Sequence, residues 1–240
     1  MRFAWVLLLL LLSCSKSEQV ANNQMLVVGT CSDNQPFEFI QNGQIVGFDI
    51  DLIQEVAKQM GKSLKIKNMA FPALIPALHS GDVDLLIAGL SKTDKRQGSM
   101  DFSICYASSS MSIISNLKIS NLNDLQDKII GAQMGSTWHH QANQIAQNVD
   151  GVQLKLLSNN LLLMQELTLK KIDAVIIETS QVKKFQKINP GLNVFEIADA
   201  KSNFSIAMNH NSQLKDPVDQ ALIALRKSGA IAFLTKKWFN

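Results

Sequence analysis

The sequence predicts an α/β fold divided into two lobes with a binding cleft between them, and three observations carry that prediction. At 240 residues, 46% of them hydrophobic, the chain is too long for one small core and comfortable for two modest ones. Short apolar runs such as Val83 to Ala88 alternate with helical apolar stripes, which suits strands buried on both faces. Finally, Leu78, Asp84, Gly89 and Ser91 have the same spacing as Leu167, Asp173, Glu178 and Ser180. Two helix-strand units thus end in polar groups. Open α/β sheets bind ligands at the carboxyl ends of their strands, so both sheets are expected to face a shared cleft.

Composition narrows the partners. A net charge of +3, without a dense Lys/Arg cluster and with only 3 Trp, 1 Tyr and 11 Phe, supplies no basic stripe with stacking platforms, so no nucleic acid is expected. Cys14, Cys31 and Cys105 lack metal-type spacing, and the 4 histidines include a single adjacent pair, His139 and His140, whose side chains would diverge on a helix. No metal and no cofactor are expected.

At the amino terminus Arg2 precedes an apolar run from Phe3 to Leu12, too short to span a bilayer, followed by Ser13 and Cys14. This reads as an export signal over residues 1–13. Leu11-Leu12-Ser13-Cys14 resembles the bacterial lipobox, which implies cleavage before Cys14 and acylation of its thiol. Several acyl chains would anchor the protein stably. Residues 14–24, polar and without periodicity, read as a flexible tether.

The folded part opens with a strand from Met25 to Gly29, which ends in the polar turn Thr30-Cys31-Ser32-Asp33-Asn34-Gln35-Pro36. Phe37 to Ile40 and Ile45 to Phe48 flank Asn42-Gly43, a dipeptide favoured in tight hairpins. A helix starts near Asp49, with Ile50, Ile53, Val56, Ala57 and Met60 on one face and Gly61 at its end. Leu64 to Met69 is the next strand, and Phe71-Pro72 opens a helix carrying Leu74, Ile75 and Leu78.

The stretch from Asp82 to Arg96 organises the rest. After the buried strand, Gly89, Ser91 and Thr93 bring backbone groups and hydroxyls to its carboxyl end, and Asp94 with Gln97 resembles a helix start that holds Arg96 in the first turn. Arg96 is a planar, permanently charged fork suited to a carboxylate; a Gly carbonyl and a Ser hydroxyl suit an ammonium. The expected ligand carries both groups.

In the second half, Ser103 to Tyr106 and Met111 to Ser115 read as extended, Leu122 to Leu125 as a helical turn, and Ile129 to Ala132 as a strand. Gly135-Ser136-Thr137, between a strand and a helix, fits either an anion nest or a plain tight turn. Glu178, at the end of the repeated unit, supplies the second lobe with an anion. A helix from Gln181 to about Lys187, strands near Val194 and over Ser205 to Met208, and two terminal helices separated by Gly229 complete the chain.

Together, PFEF (36–39), GFDIDL (47–52), FPALIPAL (71–78), DVDLLIAGLSKTDKR (82–96), DFS (101–103) with Tyr106, QMGST (133–137), IDAVIIE (172–178) and KKWF (236–239) resemble the bacterial extracellular solute-binding proteins of the polar amino-acid family, of the glutamine-binding and lysine/arginine/ornithine-binding type. The resemblance implies a type II periplasmic binding fold with two hinge segments, residues 25–109 and 205–240 forming lobe one and 110–204 lobe two. It implies a monomer that binds a free L-amino acid and docks on the permease of an ABC importer, as an exported periplasmic or cell-surface lipoprotein. By similarity Arg96, Ser91 and the Thr137 N–H hold the ligand α-carboxylate, Glu178, the Gly89 carbonyl and the Ser91 hydroxyl hold the α-ammonium, and Phe71 lies along the side chain.

The chain departs from those relatives at Cys31, where they carry an Asp, and at Asn34, where they carry an aromatic residue. With Asp33 turned to solvent, the distal wall would consist of Cys31, Asn34, Gln133, Trp138 and Ile177 and lack a counter-ion, which favours a neutral, glutamine-like side chain. A disulfide between Cys31 and Cys105 stays open as an alternative arrangement of that loop. The competing function on the same fold is an enzyme similar to the cyclohexadienyl dehydratases, with Glu178 or a cleft histidine as acid on a prephenate-like substrate. A zwitterion clamp explains the charged positions without a general acid, so a receptor rather than an enzyme is expected.

Overall fold

The computed structural model describes residues 25–239. The expected signal, tether and Cys14 anchor lie outside the described residues. Strand β1 (Leu26–Thr30) leads into a small antiparallel sheet of β2 (Asp33–Asn34), β3 (Glu38–Gln41) and β4 (Gln44–Val46). Asn42 and Gly43 form the expected hairpin turn, with φ of 51° and 76°. Helix α1 (Phe48–Gln59) buries Ile50, Leu52, Ile53 and Val56; β5 (Leu64–Asn68), α2 (Leu74–His79), β6 (Leu85–Leu86), α3 (Asp94–Gln97) and β7 (Met100–Phe102) follow.

β8 (Ala107–Ser115) then carries the chain into the second half: β9 (Ile129–Gln133), α4 (Thr137–Asn148), β10 (Gln153–Leu157), α5 (Asn160–Thr168), β11 (Ala174–Glu178) and α6 (Val182–Ile188). β12 (Asn193–Phe204) returns to β13 (Ala207–Asn209), α7 (Lys215–Lys227) and α8 (Ala230–Phe239). Ser103 to Tyr106, expected as extended, is a connector outside the named strands, with the Ser103 N–H donating to the Ile206 carbonyl and the Tyr106 N–H to the Phe204 carbonyl. The buried run at Val83 to Ala88 contributes only Leu85 and Leu86 to a ladder, although all its apolar side chains are buried.

Two five-stranded sheets result, ordered β5-β1-β6-β13-β7 and β10-β9-β11-β8-β12. Their first three strands are parallel and their fourth antiparallel, so the spacing echo in the sequence is an architectural repeat. The repeat extends to atoms. Asp84 Oδ2 accepts the Val27 N–H at 2.8 Å, and Asp173 Oδ2 accepts the Ile129 N–H at 2.8 Å, fastening the start of the second strand in the order of each sheet, β1 and β9. Gly29 lies against Leu74, Val83 and Leu86, and Gly131 against Leu163, Ile172 and Val175; in both a Cβ would approach a side-chain carbon to 2.9 Å or less. A methyl at either position would require the end of the Leu86 side chain, or those of Ile172 and Leu163, to move aside.

Each sheet has its own apolar layers. Phe37, Phe48, Ile53, Tyr106, Phe204 and Leu222 share a core in the first lobe, while Met111, Ile113, Ile130, Trp138, Ile145 and Ile176 share one in the second. β8 and β12 pair antiparallel from Ala107↔Phe204 to Ser115↔Asn193, with a break between Glu196 and Lys201. They are the two hinge segments.

Candidate functional site

The carboxyl ends of β1, β6, β9 and β11 converge on one cavity, lined from the first lobe by Asp33, Asn34, Glu38, Phe71, Gly89 and Arg96, and from the second by Gln133, Thr137, Trp138 and Glu178. Among the described residues no group of three His, Cys, Asp or Glu could hold a metal ion.

Arg96 sits in the four-residue helix α3, whose cap is Thr93 rather than the expected Asp94: the Thr93 hydroxyl accepts the Arg96 N–H at 3.3 Å. Arg96 is 8% exposed; its guanidinium donates to the Ser91 carbonyl at 2.8 Å and to the Gly135 carbonyl of the opposite lobe at 3.1 Å, and lies 5.8 Å from the Phe71 ring centre. Burial lowers its pKa to about 10, so it remains a cation at neutral pH. The Ser91 hydroxyl is buried and bonds no protein group.

Gly89 turns the chain at the end of β6 with φ of 52°, and a Cβ there would stand 2.8 Å from the Asn34 amide. Its N–H donates to Asp49 Oδ2 at 2.9 Å. From the other lobe, the Ser136 hydroxyl caps α4 by accepting the His139 N–H, which leaves Thr137 as the first helical residue with its N–H at the cavity. The Ser136 N–H closes a turn on the Gln133 carbonyl at 3.2 Å and the Gly135 N–H reaches His139 Nδ1 at 3.3 Å, so the segment is a tight turn in which those two N–H groups are already used.

Glu178, 1% exposed, accepts the Trp138 indole N–H at 2.9 Å on Oε1 and has no partner for Oε2. Burial raises its pKa, while the bond from the Trp138 indole pulls the other way. Arg96 and Glu178 thus supply opposite charges to one cavity from different lobes.

Two residues of the expected distal wall are elsewhere. Ile177 is fully buried with Ile114, Leu163 and Phe185 on the far face of its sheet, because successive strand residues alternate and Glu178 takes the cleft face. Cys31 packs with Leu74, Leu78 and Leu86 behind the wall and donates its thiol to Asp33 Oδ1 at 3.3 Å; burial and the adjacent Asp33 push the thiol pKa far up. Cys31 is buried and Cys105 exposed, both as free thiols, so they are not bridged.

The larger correction is Asp33. It is 5% exposed and points into the cleft, where Oδ2 accepts the Gln133 amide and the Asn160 backbone N–H, both at 2.9 Å. The wall therefore contains a carboxylate. Burial raises the Asp33 pKa against the lowering effect of these bonds. Asn34 also spans the cleft, its carbonyl accepting Gln181 Nε2 at 2.6 Å. Glu38, Asp49, Asn160 and Gln181 were not singled out from sequence. Glu38 and Asp49 lie inside the recognised PFEF and GFDIDL strings, and Gln181 lies three positions past Glu178; only their location at strand and helix ends could have signalled them.

The model for bacterial extracellular solute-binding proteins, family 3, matches residues 26–240. The arginine-binding extracellular protein ArtP of Bacillus subtilis is 33% identical, covering 98% of this chain and 98% of its own. A probable histidine-binding protein of Campylobacter jejuni is 34% identical over 88% of this chain and 85% of its own. An ancestral arginine-binding protein solved with arginine superposes with a TM-score of 0.85 at 34% identity, covering 90% of this chain and 98% of that one. Solved with glutamine, it gives 0.84 at 35%, covering 90% and 97%.

Proposed function

The chain belongs to the bacterial extracellular solute-binding proteins, family 3, and from that premise we propose that it is the amino-acid receptor of an ABC importer, a binding protein and not an enzyme. The observation that carries this is the pair of opposite buried charges, Arg96 and Glu178, facing one cavity from two hinged lobes. Arg96, with the Thr137 N–H and Ser91, takes the α-carboxylate. Glu178, with the Gly89 carbonyl and the Ser91 hydroxyl, takes the α-ammonium; the unpaired Ser91 hydroxyl and Glu178 Oε2 are the protein atoms that such a ligand would satisfy. Lobe one comprises 25–109 and 205–240, lobe two 110–204, and closure buries the ligand between them.

For the side chain we propose a cation of the arginine class. Arg96 and Glu178 together neutralise a zwitterion, which leaves Asp33 as a buried carboxylate in the distal wall beside Asn34, Gln133 and Trp138. A neutral glutamine-like ligand followed from a wall without a counter-ion, and the burial of Asp33 removes that ground. A neutral side chain would leave the carboxylate unpaired, whereas a guanidinium supplies its partner. The relatives named for arginine support the same choice.

The receptor is exported and works outside the cytoplasm as a monomer against permease subunits. Residues 1–13 are its signal, and residues 14–24 tether it to an acylated Cys14. Cys14→Ser should abolish incorporation of labelled fatty acid; unchanged labelling would remove the anchor.

The deciding experiment for the ligand is a thermal-shift panel of the common amino acids and their N-acetyl forms on residues 15–240. Arginine should raise the midpoint most, and N-acetylarginine, lacking the ammonium, should not. Equal stabilisation by both would overturn the zwitterion clamp.

A further inference from the structure

Where β11 ends, side chains take over from the backbone in tying it to the hinge. The β8–β11 ladder closes with Met111↔Glu178, and the next pair in register would set Ser110 opposite Thr179. The ladder stops short of that pair. In its place the Thr179 hydroxyl lies 2.7 Å from the Ser112 hydroxyl and accepts from the Ser110 hydroxyl at 3.0 Å, and Ser110 also reaches Glu196 Oε1 at 2.7 Å. Ser110 and Ser112, two positions apart, share one face of β8. On the other edge of β8, Glu196 pairs with Ser112 and Lys201 with Ser110, so Glu196 is the last β12 residue before the break in the hinge pairing. Three hydroxyls and one carboxylate therefore meet where the second lobe, both hinge strands and the break adjoin.

What hangs on Thr179 is the part of lobe two that meets lobe one. Glu178 precedes it and lines the cavity. Thr179–Gln181 is a single 3-10 turn whose last residue, Gln181, donates to the Asn34 carbonyl at 2.6 Å. The Val182 N–H donates to the Thr179 carbonyl where α6 begins, and Lys184, in the first turn of α6, stands 5.9 Å from the Phe39 ring centre of lobe one. The Ser180 hydroxyl and Gln181 Oε1 are buried without a partner, so within this turn it is the Thr179 hydroxyl that reaches the hinge.

We propose that Thr179 is a positioning residue for amino-acid capture: its hydroxyl, gripped by Ser110 and Ser112, fixes Glu178 and Gln181 relative to the hinge, so that rotation at the break brings both to the first lobe together. The proposal rests on the receptor reading above, which makes Glu178 the partner of the ammonium, and adds to it a residue that touches no ligand atom. Glu178 meets the main chain of the amino acid and Gln181 meets Asn34, so misplacing them weakens every amino acid alike and leaves selectivity unchanged. A purely structural part for Thr179 is separable from this one. Ser112 is fully buried, and removing the Thr179 hydroxyl alone strands the Ser112 hydroxyl at a cost in stability; removing both leaves an apolar contact and costs stability little.

The test is thermal melting and titration calorimetry of residues 15–240, which hold every described residue, with arginine, histidine and glutamine as probes. The paired variant Thr179→Val with Ser112→Ala should melt close to the parent yet bind each probe that the parent binds about threefold to tenfold more weakly, by one common factor and with faster dissociation. Thr179→Ser, which keeps the hydroxyl, should bind like the parent. Should the paired variant fail to fold, Ser110→Ala decides by the same common loss, since it frees Thr179 from the half-buried side of the cluster. Parental affinity in a folded paired variant overturns the proposal and leaves the receptor standing. A loss confined to one probe, or a Thr179→Ser variant as weak as the paired one, overturns it as well. A parent protein that binds none of the three overturns both.

Discussion

Asn34 and Gln181, 147 positions apart in the chain, are joined across the cleft by a hydrogen bond of 2.6 Å between Asn34 Oδ1 and Gln181 Nε2. Gln181 is 1% exposed and follows β11 by three residues, so this contact is formed only when the hairpin loop of one lobe meets the other lobe. Asp33 makes two such contacts beside it, to Gln133 and Asn160. The rim around Asp33 and Asn34 is thus itself a seam between the two lobes.

Gln181→Leu removes the donor and leaves the Asn34 carbonyl buried and unpaired, at a cost of about 1–3 kcal/mol to the closed form. Ligand affinity should fall about tenfold, with an increase in the radius measured by X-ray scattering at sub-saturating ligand. Parental affinity and radius together would show that the bond takes no part in closure.

Arg96→Ala should weaken the amino acid by about 2–5 kcal/mol, because a desolvated carboxylate loses its charge-assisted partner. Arg96→Lys should recover a part, since an ammonium cannot reproduce two parallel N–H donors. Titration calorimetry of both variants checks the order; a folded alanine variant that binds like the parent would place the clamp elsewhere.

Asp33→Asn separates counter-ion from seam. The amide keeps one acceptor for Gln133 or Asn160 but loses the charge, so arginine should lose about tenfold or more while glutamine changes little. An equal loss for both ligands would make Asp33 a closure residue alone.

The pH dependence of stability follows from Asp49. Burial raises its pKa from 3.8 to about 6, against the lowering effect of the Gly89 and Tyr106 bonds. The folded state then binds the proton more tightly than the unfolded chain, so the associated stability is present below about pH 4 and is lost as pH rises through about 6. Urea melts of the ligand-free protein should give a lower midpoint at pH 7 than at pH 4.5, and Asp49→Asn should flatten that difference. A parent midpoint that rises over this interval, with the variant unchanged, would contradict the assignment.

What could be read in the sequence was local or periodic. Asn42-Gly43 specified its hairpin, Leu122 to Leu125 its helical turn, and the spacing shared by Leu78 to Ser91 and Leu167 to Ser180 reflected two lobes fastened alike through Asp84 and Asp173. Gly89 and Glu178 stand at matching positions of these units and Arg96 follows the first by a short turn, which is why all three could be picked out and why the fold gathers them at one cavity. Asp33 was misplaced because its partners, Gln133 and Asn160, are 100 and 127 positions away and no local pattern announces them. Glu38 and Asp49 escaped for a related reason: a buried carboxyl pair looks like two ordinary surface acids until the fold brings them together. Ile177 was a different kind of miss, since strand alternation alone places it opposite Glu178.

The pairing of β8 with β12 has a mechanical consequence. The two passages between lobes are laced to one another from Ala107↔Phe204 to Ser115↔Asn193, so they act as one torsion bar rather than as two separate cords. Its ends are clamped, Tyr106 and Phe204 in the core of one lobe and Met111 and Ile113 in that of the other. Twist concentrates where the lacing is interrupted, between Glu196 and Lys201, while sliding of one lobe past the other would have to tear the intact rungs on either side. The molecule is therefore compliant in rotation and stiff in shear, which brings Asp33, Arg96 and their partners back into the same register at every closing stroke.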